Sequence, residues 1–283
     1  VSATGRPKRE LLPLGGTAQS AKGAPMTTET PRLSCRGLAL SVAGRTLASG
    51  LDIDVRAGEC WVVIGPNGAG KTTLVSALAG IKAPAAGEIA YDGTPLAALS
   101  PRERAKRRGF LPQDSVDYFP ATVLETALVG RHPHLARWQW ESAADVDRAR
   151  SALSAFGLAG LDGRDARTLS GGERRRLALA ALVAQDPALL VLDEPSSHLD
   201  LGQQIAALDT VTALARDHAK AIVMVLHDLH LALRYADHAI ALGGGRVRAG
   251  AGGDIMTATT LSELFGHRLI KVGEGTTRTF LPV

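Results

Sequence analysis

Short apolar runs alternate with amphipathic segments along most of the chain. Three runs of strand length, 62–64, 188–192 and 221–226, are continuously apolar, and each is followed by polar or glycine residues and then by a helical pattern. Continuous apolar strands between helices are typical of a parallel sheet that is covered on both faces. We therefore predict an α/β fold whose ligands bind at the carboxyl ends of the strands.

An alternating pattern precedes this region and predicts an antiparallel sheet. Apolar residues alternate from Leu33 to Val42, with a slip near Gly37, and again from Leu51 to Val55. We expect two antiparallel strands joined by a turn at 43–45. They would form an antiparallel β subdomain beside the parallel core.

The segment from about residue 114 to residue 185 has mainly helical patterns. Its clearest helices run from Thr122 to Val129 and from Ser142, a capping serine, to Phe156. A further helix begins in the sequence LSGGERRR, at 169–176, and continues to Gln185. Because these helices separate two predicted strands, we expect them to form a helical subdomain inserted into the parallel-sheet core.

Two further helices are expected from their capping residues. Ser100, Pro101 and Glu103 have the spacing of a capping box with a first-turn proline. The basic residues of the helix that follows are Arg102, Arg104, Lys106, Arg107 and Arg108. We interpret this run as a solvated helix face rather than a surface for an acidic partner. Near the end of the chain, a helix capped by Thr260 and Glu263 is expected before a terminal hairpin.

Composition and charge narrow the class of protein. The chain has 283 residues and a hydrophobic content of 45%, enough for a full core, and no apolar run approaches the length of a membrane span. The net charge is +4, but residues 1–25 alone contain four basic residues and one acidic residue. The rest of the chain is therefore almost neutral, which argues against a nucleic-acid partner. Cys35 and Cys60 fall in strand patterns and are interpreted as buried thiols of a reducing compartment.

Residues 1–30 differ from the rest of the chain. They are rich in small and polar residues, and they lack both an amphipathic period and an apolar segment long enough for a signal peptide. We expect a disordered leader, with Met26 as an alternative start of translation. The folded domain is expected to cover residues 31–283.

A phosphate-binding loop follows the first buried strand. Residues 65–72 have the spacing G-x-x-x-x-G-K-[ST], in which glycines allow a tight turn and the next helix directs its N-terminal amides at an anion. Lys71 is expected to contact the β and γ phosphates, and the Thr72 hydroxyl to complete the shell of a magnesium ion. The residues expected to bind the nucleotide here are Gly65, Pro66, Asn67, Gly68, Ala69, Gly70, Lys71, Thr72 and Thr73.

Further polar residues stand at the ends of the other buried strands. Asp193 and Glu194 follow the run 188–192, where a salt bridge or a helix cap would be the ordinary interpretation of such a pair. The phosphate loop in the same chain favours a catalytic interpretation, in which Asp193 holds magnesium and Glu194 is the general base or orients the attacking water. His227 ends the next strand, where it can contact the γ phosphate and hold Glu194 and the water in line.

As a set, these motifs resemble those of the nucleotide-binding subunits of ATP-binding cassette (ABC) transporters, over residues 31–283. The matching segments are Gly65–Thr73 for the Walker A motif, Gln113 for the Q-loop, Leu169–Glu173 for the signature, Ala188–Glu194 for the Walker B motif, Ser196–Asp200 for the D-loop and His227 for the switch histidine. The resemblance implies a P-loop NTPase of ABC type, an ATPase that uses ATP and Mg²⁺.

The resemblance also implies partners. In the family, the signature of one subunit completes the ATP site of the other, so Ser170, Gly171, Gly172 and Asp200 are expected to contact nucleotide across a homodimer. Gln113 is expected to act in catalysis, to ligate the metal and to pass the nucleotide state to an integral membrane permease.

Three segments indicate the kind of transporter. Leu99–Gln113, Val123–Leu135 and His227–Val247 are similar to the ATPases that energise import of metal chelates, meaning ferric siderophores, cobalamin or haem. This similarity implies a peripheral protein at the cytoplasmic face of the inner (plasma) membrane that acts indirectly with a substrate-binding protein and binds no nucleic acid. An ATPase of an exporter or lipid transporter shares the same core and stays an alternative, as does a soluble ABC ATPase.

One position departs from the family pattern. Most relatives have an aromatic residue that stacks on adenine where this chain has Val42, and no Phe, Tyr or Trp occurs from Pro31 to Cys60. The base is therefore expected to be held weakly, with Arg36 or Arg45 as the remaining candidates for stacking.

Overall fold

Two larger β-sheets organise the computed structural model, which describes residues 29–113, 120–273 and 279–283. The predicted leader falls almost wholly outside these residues. The strands are β1 (Leu33–Val42), β2 (Arg45–Val55), β3 (Cys60–Ile64), β4 (Ala86–Tyr91), β5 (Thr94–Pro95), β6 (Arg108–Leu111), β7 (Leu189–Leu192), β8 (Ala221–Val225), β9 (His238–Gly243), β10 (Arg246–Ala251), β11 (Leu269–Val272) and β12 (Thr279–Pro282).

Helices connect most of these strands. They are α1 (Lys71–Leu78), α2 (Pro101–Arg107), α3 (Val123–Leu128), α4 (Ala143–Ala155), α5 (Gly171–Gln185), α6 (Leu201–His218), α7 (Leu229–Tyr235), α8 (Gly252–Ile255) and α9 (Ala258–Phe265). Short 3₁₀ segments lie at Leu96–Ala98, Val129–His134 and Ala166–Thr168. None of the helices in the described part of the chain combines the length and the apolar character that a membrane span needs.

The larger sheet is parallel apart from one edge. Within the described residues its strand order is β10-β9-β3-β8-β7-β6, and only β10 runs antiparallel to its neighbour. Every residue of β3, β7 and β8 is buried, as expected for strands that are covered on both faces. The predicted parallel core of an α/β fold is confirmed.

The second sheet is antiparallel, with the order β2-β1-β4-β5. The β1–β2 register shifts between Cys35 and Leu38, which is the slip predicted near Gly37. The turn between the two strands falls at 43–44, as predicted. The alternating pattern therefore located β1 with its irregularity and the second half of β2, which begins at Arg45 rather than at Leu51.

Both cysteines belong to the core, as predicted. Cys35 and Cys60 are free and buried. Burial raises the pKa of the Cys35 thiol to about 12 and also raises the pKa of the Cys60 thiol. Both side chains are therefore protonated, apolar packing groups at neutral pH.

Helices α3, α4 and α5 lie between β6 and β7 in the sequence and share one hydrophobic cluster. Each begins with a capping box, in which the N-cap side chain accepts an amide hydrogen bond and the acidic residue three positions later accepts one from the N-cap amide. The N-cap residues are Thr122, Ser142 and Ser170. The predicted helical insertion between two strands of the parallel sheet is confirmed.

The prediction of a solvated face is confirmed in part, because Arg102 and Lys106 are exposed, but the arginines of α2 also bind neighbouring segments. Their guanidinium groups donate to backbone carbonyls of neighbouring segments. The pairs are Arg102 with Pro133 and Leu135, Arg104 with Leu99, and Arg107 with Tyr91. Arg108 is half-buried, with its guanidinium carbon 5.9 Å from the ring centroid of Phe110. Hydrogen bonds from these guanidinium groups therefore hold α2 against the rest of the domain, because the carbonyl acceptors compete with water for these donors.

The end of the chain also needs a correction. Thr257, rather than Thr260, caps α9, because its hydroxyl oxygen accepts the Thr260 amide at 3.2 Å. The expected terminal hairpin is formed by β11 and β12. Helices α7 and α8 were not predicted, since segments of 7 and 4 residues are too short to show a helical period.

The 3₁₀ segment that follows α3 lies against α5 at one close backbone contact. A Cβ atom at Gly130 would stand 2.1 Å from the carbonyl oxygen of Ala181 in α5. Only glycine fits there without a shift of one backbone against the other. Gly130 thus determines how closely these two elements of the helical insertion approach each other.

We expect Gly130→Ala to lower the free energy of unfolding by about 1 to 3 kcal/mol, because the added methyl group must displace the backbone of α5. Gly163 is a matched control, since a Cβ atom there meets nothing within 4 Å. Gly163→Ala should change the free energy of unfolding by less than about 0.5 kcal/mol. Urea denaturation measures both values, and equal midpoints for the two variants would contradict the role given to Gly130.

Candidate nucleotide-binding and catalytic site

The phosphate loop joins the end of β3 to the start of α1, as the spacing predicts. Gly70 is the N-cap of α1, with a left-handed φ of 102°, and it makes no side-chain cap. A Cβ atom at Gly70 would lie 2.7 Å from Cδ1 of Leu47, so a larger residue is disfavoured by both conformation and space. Without a side-chain cap, the first-turn amides of α1 are available to an anion.

Lys71 is buried at the base of this loop. Its side chain is 6% exposed, and its Nζ donates to the carbonyl oxygens of Gly65 at 2.8 Å and Pro66 at 3.0 Å. Burial lowers the pKa of Lys71, and the carboxylates of Glu194 and Asp193 oppose this effect. The ammonium group therefore stands between the loop carbonyls and two acidic residues, where a phosphate would supply a further negative partner.

A cavity of about 830 Å³ brings several predicted site residues together. Its lining residues are Val42, Arg45, Leu47, Asn67, Gly68, Gly70, Lys71, Thr72, Thr73, Gln113, Glu194 and His227. Five segments thus line the cavity: one from β1 and β2, and four that are remote in sequence and meet at the carboxyl ends of β3, β6, β7 and β8. Of the predicted phosphate-loop residues, Gly65, Pro66 and Ala69 do not line the cavity; the first two accept from Lys71.

Asp193 lies just below the cavity and is completely buried. Neither of its carboxylate oxygens makes a hydrogen bond of normal geometry within the described residues. Burial raises the pKa of Asp193, and the neighbouring Thr72 hydroxyl lowers it in part. A buried carboxylate without a full set of donors is costly. This donor set, a carboxylate beside a hydroxyl, fits a hard divalent cation such as Mg²⁺.

Glu194 and His227 face each other across the end of the sheet. Nε2 of His227 lies 2.5 Å from Oε1 of Glu194, a short hydrogen bond that fixes both side chains. Glu194 has a left-handed φ of 51°, a conformation that non-glycine residues rarely adopt. The strand-end geometry therefore directs a carboxylate and an imidazole into the same cavity, as the sequence predicts.

Gln113 lines the cavity and is exposed. Residues 114–119, which include the start of the predicted helical subdomain, lie outside the described residues. The Gln113 carbonyl oxygen accepts a hydrogen bond from Arg175 of α5 at 3.2 Å. Arg175 could not be singled out from the sequence. Three arginines follow one another at 174–176, and nothing in the sequence indicates which of them is buried.

The predicted residues of the signature and the D-loop lie outside this cavity. Ser170 caps α5 and Asp200 caps α6, each by accepting a backbone amide. The two helix starts are close, because a Cβ atom at Gly172 would lie 3.2 Å from the carbonyl oxygen of His198. They form a surface of this chain that is separate from its own phosphate loop.

No Phe, Tyr or Trp side chain of the described residues lines the cavity. Val42, Arg45 and Leu47 line it, and Val42 is 40% exposed. Arg36, one of the two candidates for stacking, is bound to Asp54 at 2.7 Å and does not line the cavity. Of the two candidates, Arg45 is therefore the one that lines the cavity.

Comparison with known proteins agrees with this geometry. The family model for ABC transporters matches residues 48–197. The chain is 43% identical to the hemin import ATP-binding protein HmuV of Nocardia farcinica, over 83% of each chain. It is 36% identical to the ferric enterobactin transport ATP-binding protein FepC of Escherichia coli, over 91% of this chain and 96% of that one. Among solved structures, it resembles a metal-chelate type ABC transporter in an inward-facing conformation, with a TM-score of 0.77 and 27% identity over 89% of this chain and 97% of that one.

The buried carboxylate gives the first prediction for this site. The pKa of Asp193 is raised in the folded protein above its ordinary value of 3.8, so ionisation of this group costs stability as the pH rises from that value through the folded pKa. Asn carries no charge, so Asp193→Asn should stabilise the nucleotide-free protein by about 1 kcal/mol at pH 7. The gain should shrink as the pH falls and Asp193 becomes protonated.

Thermal unfolding between pH 5 and pH 8 measures this difference. Asp147→Asn is the matched control, because Asp147 is exposed in α4 and its replacement should have no comparable effect. An Asp193→Asn protein that is less stable than the original at every pH would contradict the prediction.

The second prediction concerns the base. We expect GTP to compete within about tenfold of ATP, a gap of about 1.4 kcal/mol, because the phosphates dominate binding. Val42→Tyr should tighten ATP binding by about 1 kcal/mol or more, since a ring can stack on the base. Val42→Leu is the control that adds apolar bulk without a ring. Competition of both nucleotides against a fluorescent ATP analogue gives the affinities, and a hundredfold preference of the original protein for ATP would contradict this account.

Proposed function

The chain belongs to the ABC transporter family, and we propose that it is the ATP-hydrolysing subunit that energises uptake of a metal chelate through a membrane permease. One observation carries the proposal: a single cavity joins the phosphate loop to Gln113, Glu194 and His227, with Asp193 buried beneath it. Binding, metal ligation and activation of water each have a residue of suitable chemistry there. The proposed nucleotide-binding domain covers residues 31–283, and its helical subdomain covers about 114–185.

The phosphate loop would hold the triphosphate. The first-turn amides of α1 and the Lys71 ammonium group present positive charge to one place. Thr72, Gln113 and Asp193 would hold Mg²⁺, which neutralises charge on the phosphates when it is bound. Asp193 supports this assignment best, since its buried oxygens make no hydrogen bond of normal geometry within the described residues.

Glu194 and His227 would act on the attacking water. Glu194 can accept its proton or a hydrogen bond from it, and His227 at 2.5 Å restricts the carboxylate to one orientation. His227 also lines the cavity, so the same imidazole can contact the terminal phosphate. The pair would thus hold water and phosphate in line without a covalent intermediate.

We infer that two copies of the chain share their sites. The start of α5, with Ser170, Gly171 and Gly172, is an anion-binding element outside the chain's own cavity, and the Asp200 cap lies beside it. In a head-to-tail homodimer this surface would complete the partner's nucleotide site. ATP would then bind the closed dimer better than the open one, and hydrolysis would release it.

The remaining partners follow from the relatives. HmuV of Nocardia farcinica is a hemin import ATP-binding protein, and FepC of Escherichia coli is a ferric enterobactin transport ATP-binding protein. We propose the same role here, with a ferric siderophore, cobalamin or haem as the cargo of an integral membrane permease and a substrate-binding protein. The chain would then sit at the cytoplasmic face of the inner membrane as a peripheral subunit.

Glu194→Gln tests the catalytic assignment. The change keeps shape and hydrogen bonding but removes basicity, so ATP should still bind while turnover falls by about a hundredfold or more. Nucleotide should then trap the dimer, which size-exclusion chromatography with ATP and Mg²⁺ would detect. A variant that stays monomeric with bound nucleotide and hydrolyses ATP normally would contradict the role of Glu194.

Adding Ser170→Arg to the Glu194→Gln chain is the matched control for the dimer. The longer, charged side chain would obstruct the start of α5 but leave the chain's own phosphate loop unchanged, because Ser170 does not line that cavity. We expect this double variant to bind ATP as a monomer. Loss of ATP binding would instead mean that Ser170 supports the site of its own chain.

A further inference from the structure

Arg175 of α5 binds four backbone carbonyls that belong to the two catalytic segments. Its Nη1 donates to Pro112 at 2.8 Å and to Gln113 at 3.2 Å. Its Nη2 donates to Asp193 at 2.5 Å and to Glu194 at 2.7 Å. One guanidinium group of the signature helix therefore holds the end of β6 and the end of β7 together.

This contact is buried and directional. The Arg175 side chain is 4% exposed, so its hydrogen bonds have little competition from water. A planar guanidinium has donors on two sides and can serve two neighbouring segments at once, which a single ammonium group cannot do as well. The orientation of Arg175 thus follows from the shape of the two strand ends.

Arg175 contacts Glu194 where the backbone is least favourable. Glu194 has a φ of 51°, and a non-glycine residue in this region needs support from its surroundings. That support is a set of hydrogen bonds to its carbonyl oxygen, from Arg175 at 2.7 Å and from the Ser197 amide at 3.1 Å. The direction of the Glu194 side chain towards His227 depends on this conformation.

We propose that Arg175 is a positioning residue for hydrolysis. It maintains the backbone of Glu194 and ties the carboxylate's position to that of the signature helix. The inference rests on the proposed function, because it assigns Arg175 a role through Glu194 in ATP hydrolysis. A displacement of α5 would move the Glu194 carbonyl and disturb the Glu194–His227 pair. A shift of α5, which presents the signature to the partner subunit, would thereby change the position of the catalytic base in its own chain.

Arg176 provides the matched control. It is adjacent in the same helix and also donates to backbone carbonyls, those of Phe156 at 3.0 Å and Gly157 at 3.3 Å. These acceptors follow α4 and lie outside the catalytic segments. The two arginines therefore differ in what they hold rather than in chemistry.

The test compares Arg175→Ala, Arg175→Lys and Arg176→Ala in the full chain, by steady-state ATP hydrolysis and thermal unfolding. We expect Arg175→Ala to lower kcat about a hundredfold while KM for ATP changes less than about threefold, because a misplaced base affects the chemical step. Arg175→Lys should recover part of the rate, since Lys keeps the charge but not the fork. Arg176→Ala should keep kcat within about threefold of the value for the original protein, even if its unfolding midpoint falls as far as that of Arg175→Ala.

A double-mutant cycle separates positioning from general structural support. If Arg175 acts through Glu194, adding Arg175→Ala to Glu194→Gln should lower the residual rate by less than about threefold. A full hundredfold further loss would overturn the inference, as would equal kcat losses for Arg175→Ala and Arg176→Ala. If Arg175→Ala does not fold, Arg175→Lys carries the test, and an undiminished kcat for that variant would overturn it. An unmodified chain without ATP hydrolysis would overturn the proposed function as well.

Discussion

The parallel pairing of β3, β7 and β8 is the constraint on which the rest of the molecule depends. All residues of these strands are buried, so a polar side chain has no place within them and first occurs where each strand ends. Because parallel strands end at one edge of the sheet, the phosphate loop, Asp193 and His227 are brought to that edge. The polar residues of the site therefore gather at one edge, because the interior of the sheet excludes charged groups.

Charge at this edge is only partly compensated by the protein itself. Asp193 is fully buried without hydrogen bonds of normal geometry in the described residues, and Lys71 donates to loop carbonyls rather than to a carboxylate. Such groups lower the stability of the chain alone, and they favour any ligand that satisfies both. A triphosphate with its cation has the required charges of both signs. Binding and stability are thus linked through the same two side chains.

Much of the fold and part of the site could be predicted from the sequence, for a local reason. The phosphate loop, Asp193 and His227 each follow directly on an apolar run. Their position in the sequence beside a predicted strand is therefore enough to place them at its end. The contacts of Arg175 could not be predicted, because its acceptors are carbonyls up to 63 residues away and every residue has a carbonyl. The carbonyl contacts of the α2 arginines were missed for the same reason. The cap of α9 was wrong by three residues, since several threonines there have the right chemistry.

The exposed Val42, at the position where most relatives have an aromatic residue, has a consequence for how the protein responds to nucleotide concentrations in the cell. A site that binds mainly the triphosphate tail, with a half-exposed valine where a ring would stack on the base, would use each purine triphosphate according to its concentration and its affinity. Its rate would then follow the summed triphosphate pool of the cell rather than the adenylate pool alone. Import driven by such an ATPase would continue when the concentration of adenine nucleotides falls but that of guanine nucleotides does not.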